Sequence, residues 1–333
     1  MKAAIWKDIG RLEVDEVPEP EPKPDQIKVK IAYCGICGGD PEIVAGRLPA
    51  AGKPPQIIGH EGCGTIFQVG NLVRRYKEGE RVALYFRAPC GACYYCFGGM
   101  ANFCQKPFYS AKCFAEYAIF KESSVFPLAD DVSFEEGALA EPASVALHAI
   151  DAAEIHPGSA VAIFGAGPIG LLILQLAIRS GAARTLVSEP MMNKRELARQ
   201  LGADVVVDPF TEDLEKISKE LTDGRGFHTI LEASGSLVAA KQALSLVDNG
   251  GTVVWVGVYP FEKEVGVSPY HLYEKELTLR SIVRSGYAFP RAVAMLPKLK
   301  LRPLITGVFN LQDINKAFAL HKEGKAVKIL VQP

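Results

Sequence analysis

Two hydrophobic rhythms divide the chain. Up to about residue 125, short stretches such as QIKVKIAY (26–33), GTIFQVG (64–70) and RVALYF (81–86) alternate or run apolar between Gly- and Pro-containing turns, the pattern of strands. Near Asp130 the rhythm changes. SFEEGALAEPASVALHAIDAAE (133–154) predicts one helix, with Ser133 as N-cap and Glu136 completing a capping box. Apolar strand-like runs (AVAIF, RTLVSE, DVVVD, HTILEAS, TVVWVGV) then alternate with helix-like ones (PIGLLILQLAIRS, NKRELARQLG). That βαβα order predicts a parallel sheet with crossover helices. After about residue 286, FPRAVAMLPKL and LQDINKAFALHKEG predict helices and AVKILVQ a closing strand.

Length and charge narrow this further. A chain of 333 residues exceeds what one core normally spans, so two domains are expected. With 48% hydrophobic and 23% charged residues the composition is that of a soluble globular protein. A net charge of −1 and the lack of a long basic run argue against nucleic acid or an anionic membrane surface as partner. The opening MKAAIWK has too short an apolar stretch for a secretion leader, so a cytoplasmic location is expected. The Pro-rich PEPEPKPD (18–25) reads as a surface connection rather than a flexible linker, because strand-like sequence resumes at once. The uncharged run from Ala160 to Ile178 is long enough to mimic a membrane span. Gly165, Gly167, Pro168 and Gly170 interrupt it, so a buried strand, a turn and a buried helix explain it better.

The cysteines carry the first chemistry. Cys90, Cys93, Cys96 and Cys104 lie in CGACYYCFGGMANFC with C-x2-C-x2-C-x7-C spacing. Four thiols so close read as a closed tetrahedral site for structural zinc; an iron–sulfur site takes the same ligands. A second candidate set, Cys37, His60, Glu61 and Glu141, offers mixed sulfur, nitrogen and oxygen donors, as an open catalytic zinc site needs. Cys34, Cys63 and Cys113 read as small buried hydrophobes.

The second chemistry is a nucleotide site. Gly165, Gly167 and Gly170 form G-x-G-x-x-G between a strand and a helix, which allows a tight turn, close approach of a pyrophosphate and close helix–strand packing. Glu189 ends the next strand, where an acid accepts hydrogen bonds from the adenosine ribose and repels a 2′-phosphate. NAD is therefore expected over NADP. Lys194 is placed to flank the ribose or adenine.

Taken in order, CGICGGD (34–40), GHEGCGTIFQVG (59–70), the cysteine cluster, FAEY (114–117), LAEPASVALHA (139–149), GAGPIG (165–170), LEASG (231–235) and GGTVVWVG (250–257) resemble the zinc-containing medium-chain dehydrogenase/reductase, or alcohol dehydrogenase, family. The likeness runs over nearly the whole chain and is nearest to the polyol/sorbitol and threonine dehydrogenase branch. It implies an α/β protein: a GroES-like β-rich catalytic domain over 1–148, rejoined by 287–333, around a Rossmann doubly wound parallel-sheet NAD-binding domain over 149–286. It implies Cys37 and His60 as catalytic zinc ligands, with Glu61 or Glu141 as a further one, and Asp40 as the acid that orients His60. It implies cofactor contacts from Gly165, Gly167, Pro168, Ile169 and Gly170, and further along from Glu189, Lys194, Val258 and Arg284. A homodimer or homotetramer is implied too.

The activity implied is zinc-dependent hydride transfer between NAD and a secondary alcohol, first a polyol, sugar alcohol or cyclitol. Threonine or another amino alcohol, a vicinal diol and a phosphorylated polyol are alternatives. This chain departs from its relatives in three places. Gly39 stands where many carry Ser or Thr, and Glu42 where many carry His, so the usual proton relay is missing. Water with Glu61 or Glu42 is the expected substitute, and a catalytically silent zinc- and nucleotide-binding homologue is the reading of another class. The stretch between Cys104 and Ala115 is short, which is expected to reshape a substrate pocket lined by Phe86, Phe108 and Tyr109.

Overall fold

A computed structural model describes residues 1–48, 52–260 and 262–333. They form two compact units, one of Met1–Ser144 with Ser285–Pro333 and the other of Val145–Arg284.

The first unit is built on the strand Gln26–Gly35, which pairs antiparallel with Glu61–Val69 on one side and Tyr117–Lys121 on the other. At its end it also pairs with Lys328–Gln332, so Leu330 lies opposite Gly35 and Val331 opposite Cys34. The tail of the chain thereby joins the sheet that carries Cys37 and Glu61. A smaller sheet of Arg11–Glu16, Lys2–Asp8 and Gln56–Ile57 packs into the same core, where Trp6, Ile27, Val29, Ile31, Phe114, Phe120, Ile329 and Val331 meet.

The strand Gln26–Gly35 does not alternate cleanly, and Lys28 explains why. Its side chain is 1% exposed, its ammonium lies over the rings of Phe67 and Tyr117, and it pairs with Glu19 and Glu21. A buried lysine needs such partners. The acids of the Pro-rich segment supply them, so that segment is fastened to the sheet it precedes.

The second unit is a six-stranded parallel sheet in the order Val205–Val207, Arg184–Ser188, Ala160–Phe164, Phe227–Glu232, Val247–Trp255 and Thr278–Ser281. This is the doubly wound order in which the strand sequence reverses beside the first strand. All five residues of Ala160–Phe164 are buried, as a strand covered on both faces requires. The run 160–178 is this strand, a glycine turn and the helix Pro168–Arg179, and among the described residues no helix is long and apolar enough to cross a membrane.

One expectation needs correction. The single helix over 133–154 is two, Phe134–Gly137 and Ala140–Ala153. The capping box of Ser133 and Glu136 is present on the first. Pro142 has no N–H to give to the Ala138 carbonyl, so helical bonding stops and restarts with proline in the first turn, where it is tolerated. The restart places Glu141 in that first turn, facing inward at 7% exposure.

Candidate active site and metal centres

Cys37 follows the end of the strand Gln26–Gly35, His60 precedes the strand Glu61–Val69 beside it, and Glu61 opens that strand. Register therefore brings the two segments together, with Gly35 opposite Glu61. Gly35 must lack a side chain here: a Cβ would stand 2.1 Å from Glu61 Oε2. One donor atom each from Cys37, His60 and Glu61 lie within 4.8 Å of one another. Sulfur, nitrogen and oxygen donors converging from one side fit a zinc ion with an open position.

Asp40 backs this set. It is wholly buried, its Oδ2 accepts the Cys37 N–H at 2.9 Å, and its Oδ1 faces His60 Nδ1 at 3.5 Å. Among the described residues, that Oδ1 is one of the few buried side-chain oxygens with no hydrogen bond. A small turn of the imidazole closes the gap and fixes which ring nitrogen is left for a metal. Phe86 packs edge-on against the same ring, with centroids 5.3 Å apart.

Lys328 is the residue that sequence reasoning missed. It is 1% exposed, and its Nζ donates to Glu61 Oε2 at 2.5 Å and to the Ile36 carbonyl at 3.0 Å. Burial acts to lower its pKa, but the Glu61 carboxylate and the Cys37 thiolate outweigh it and leave the ammonium more firmly protonated. The signal was a lone cation inside the apolar AVKILVQ. Glu141 lies apart from the three clustered donors but feels them. Burial pushes its carboxyl up to about 7; His60 opposes the rise and Glu61 adds to it.

Glu42 is committed elsewhere. Its two carboxylate oxygens accept Arg47 Nε and Nη2 at 2.6 and 2.7 Å in a bidentate surface pair. Gly39 adds no hydroxyl; its N–H points to Cys37 Sγ at 3.5 Å. Phe108 and Tyr109 have partners of their own. They pair with Ala88 and Arg87 in a short hairpin, where Tyr109 lies under the Arg87 guanidinium and Phe108 under Lys121.

That hairpin flanks the cysteine loop. Cys93 and Cys96 sulfurs are 3.5 Å apart, Cys90 and Cys96 4.0 Å, and all four sulfurs of Cys90, Cys93, Cys96 and Cys104 lie within 4.8 Å of one another. Zinc–thiolate bonds of about 2.3 Å in a tetrahedron set sulfurs about 3.8 Å apart. The spacing suits one ion rather than a cluster, whose thiolates sit on different irons. Backbone N–H groups of Gln105 and Cys96 pull the Cys93 thiol down to about 6, toward the thiolate a metal needs. Arg87 ties the loop's far end to the body by donating to the carbonyls of Ala101 and Cys104 at 2.9 and 2.6 Å. Cys34, Cys63 and Cys113 are buried, and burial raises the first two thiols.

In the second unit the glycine turn has the shape of a dinucleotide cradle. Gly165 has φ of 96°, and a Cβ there would press to 3.0 Å on Ser234 of the LEASG turn. A Cβ on Gly170 would meet the Gly165 carbonyl at 1.9 Å. At Gly167, the N-cap of Pro168–Arg179, the space is open, as approach of a phosphate requires. Ile169 follows in the first turn of that helix. Glu189 accepts the Ala166 N–H at 2.7 Å on one oxygen and the Met191 N–H at 3.0 Å on the other. Each oxygen of a carboxylate has a second lone pair, so the acid is fixed and still able to accept from a ribose. Lys194 lies in the first turn of the helix Met192–Gln200. Val258 is exposed beside Gly235, and Arg284, at φ 56°, offers its carbonyl to His148 Nδ1 at 2.6 Å. Buried Glu232 staples the LEASG turn by accepting from Ser234, Gly235 and the Tyr259 hydroxyl.

Residues 23–130 match the family described as the alcohol dehydrogenase GroES-like domain, and residues 168–298 the family described as zinc-binding dehydrogenase. The chain is similar to a sorbitol dehydrogenase of Bacillus subtilis, at 30% identity over 100% of this chain and 97% of the relative. It is similar to an L-threonine 3-dehydrogenase of Pyrococcus abyssi, at 34% identity over 96% and 94%. Among solved structures, a zinc-binding dehydrogenase of Sinorhizobium meliloti bound to NADP has a TM-score of 0.92 and 30% identity, over 100% of this chain and 99% of that one.

Proposed function

Because the chain belongs to the zinc-type medium-chain alcohol dehydrogenase family, polyol and threonine branch, we propose that it oxidises a secondary hydroxyl of a polyol, sugar alcohol or cyclitol to a ketone with NAD as hydride acceptor. The observation that carries this reading is the convergence of Cys37, His60 and Glu61, with buried Lys328 bonded to Glu61 and buried Glu141 within their electrostatic reach. When bound, zinc supplies Lewis-acid polarisation of the hydroxyl oxygen and nicotinamide supplies the hydride acceptor.

The protein's own residues do the rest. Cys37, His60 and Glu61 hold the metal, and Asp40 sets the imidazole. Lys328 holds Glu61 in place and offsets its charge. Glu141 takes the hydroxyl proton at its carboxylate. Burial raises the affinity of this carboxylate for a proton, as a group that accepts one in oxidation and returns it in reduction requires. This replaces the relay that Gly39 cannot supply and that Glu42, held by Arg47, does not. The cysteines at 90, 93, 96 and 104 hold a second zinc that fastens their loop. Gly165, Gly167, Pro168, Ile169 and Gly170 seat the pyrophosphate, with Glu189 and Lys194 at the adenosine ribose and Val258 and Arg284 further along the cofactor. Glu189 at the ribose favours NAD over NADP.

Self-association and a reducing, cytoplasmic setting belong to the same reading. The parallel sheet ends on Thr278–Ser281, an edge strand open to pairing with a second copy, and thiolate ligand sets persist where cysteines stay reduced. Light scattering of the purified protein tests the first point.

The deciding experiment follows NADH absorbance with the zinc-loaded protein, NAD and a panel of sugar alcohols, inositols, diols, threonine and phosphorylated polyols, before and after chelation. Chelator-sensitive turnover of a polyol is expected. A clear preference for threonine would move the assignment to an amino alcohol. No turnover by protein shown to hold zinc and NADH would overturn it.

A further inference from the structure

The adenosine end of the glycine-turn site holds a charge pair that the reading above does not use. Arg195, one residue past Lys194, is 13% exposed. Its Nη1 donates to the carbonyls of Glu189 and Pro190, each at 2.7 Å, and pairs with Asp208 Oδ2 at 3.0 Å. Asp208 follows the strand Val205–Val207, which neighbours the strand leading to Glu189. The acid is itself fixed: its Oδ1 accepts the Phe210 N–H at 3.0 Å, and its own N–H donates to Glu212 Oε2 at 2.8 Å. A guanidinium thus lies against the backbone of the residue expected at the ribose, turned toward Asp208.

Arginine is the side chain best suited to a ribose 2′-phosphate, because its planar fork matches phosphate oxygens and its charge persists at any working pH. Here one arm of that fork is taken: Nη1 is held by the carbonyls of Glu189 and Pro190 and by Asp208, and that carboxylate offsets the charge a phosphate would seek. Glu189 meanwhile is held in place by its bonds to Ala166 and Met191.

We propose that Asp208 is a specificity-determining positioning residue: by holding Arg195 it keeps a ready-made 2′-phosphate reader disengaged, and so maintains discrimination against NADP without touching the cofactor. The inference rests on the NAD reading of this site. It also assigns Arg195 a latent role that the one charged partner, Asp208, holds in check, so removal of that charge alters cofactor choice while Glu189 stays in place.

The test is direct binding of NADH and NADPH, read by nicotinamide fluorescence with no alcohol present. Asp208→Asn keeps an oxygen for the Phe210 N–H while removing the charge. NADPH should then bind about tenfold more tightly, the scale of one charge-assisted hydrogen-bonded contact, with NADH within about twofold of the parent. Adding Arg195→Gln should erase that gain. Arg195→Gln alone should leave the parent NADH-to-NADPH ratio unchanged, because the parent arginine is engaged. A gain that persists in the double variant would mean simple loss of a repulsive charge and would overturn the proposal. So would an Asp208→Asn protein that binds both nucleotides as the parent does. Should Asp208→Asn fail to fold, a fall in NADPH affinity in Arg195→Gln alone would overturn it, and an unchanged ratio would support it. A parent protein that prefers NADPH would instead overturn the NAD reading.

Discussion

The cysteine loop and the mixed-donor site offer the same element in two settings, and their difference is one of reach. Cys90, Cys93, Cys96 and Cys104 come from a single loop and stand close enough for one ion. The other set draws Cys37, His60 and Glu61 from the adjoining ends of two strands, Glu141 from a helix start, and Lys328 from the tail strand. A local set closes a tetrahedron and leaves no room for chemistry. A dispersed set leaves an open position, and it can place an acid, a cation and a ring around it. The loop has little core of its own; Tyr94, Phe97 and Phe103 are exposed there. A metal would supply the cross-link that such a loop needs, whereas the dispersed site is backed by the main sheet.

The contrast breaks most readily through activity. Cys37→Ala should lower kcat/KM by about 1,000-fold, since several kcal/mol of charge stabilisation are lost and each 1.36 kcal/mol is a factor of ten. Its unfolding temperature should change little, and Cys96→Ser should do the reverse: a marked fall in unfolding temperature and one zinc fewer by elemental analysis. Equal thermal losses in both would erase the distinction between an open and a closed site.

Lys328→Met sharpens it next. Removal of one member of a buried ion pair leaves Glu61 uncompensated and should cost about 3–5 kcal/mol in denaturant unfolding. Adding Glu61→Gln should recover much of that loss in stability without recovering turnover. A Lys328→Met protein as stable as its parent would show that Glu61 does not depend on the cation.

Asp40→Asn acts one step further from the metal. It keeps the shape and removes the charge facing His60, so zinc affinity or activity should fall about 10- to 100-fold. Competition with a chelator measures the affinity, and the loop zinc serves as internal reference. The smallest effect should come from Glu42→Ala. Its exposed pair with Arg47 is worth about 0.2–1 kcal/mol, so turnover should stay within about twofold of the parent. A large loss would return Glu42 to the proton path.

What could be read from the sequence follows the same division. The cysteine cluster and the glycine turn were legible because their partners are neighbours in the chain. Spacing alone encodes a thiolate tetrahedron, and a strand–turn–helix encodes a phosphate cradle. Cys37 and His60 were legible through short motifs that register then joined. Lys328 was not, because its partner Glu61 lies 267 residues away and only strand pairing brings them together. The hairpin of Phe108 and Tyr109 with Ala88 and Arg87 was not legible, because strand pairing cannot be read from loop length. Glu42 was offered a role because its partner Arg47 looked like any surface cation. The split at Pro142 was in the sequence, and only helix hydrogen bonding gave it a place.

The pairing of the tail strand with Gln26–Gly35 also sets an order of events in synthesis. Cys37, His60, Glu61 and Glu141 leave the ribosome early, and the whole unit Val145–Arg284 is made before Lys328 follows. Until that strand docks, Glu61 has no ammonium beside it and the edge of Gln26–Gly35 that will receive it is open. The inserted unit can fold in the meantime, because its sheet borrows no strand from outside. The first donor made therefore waits for a strand that is synthesised only after the whole inserted unit.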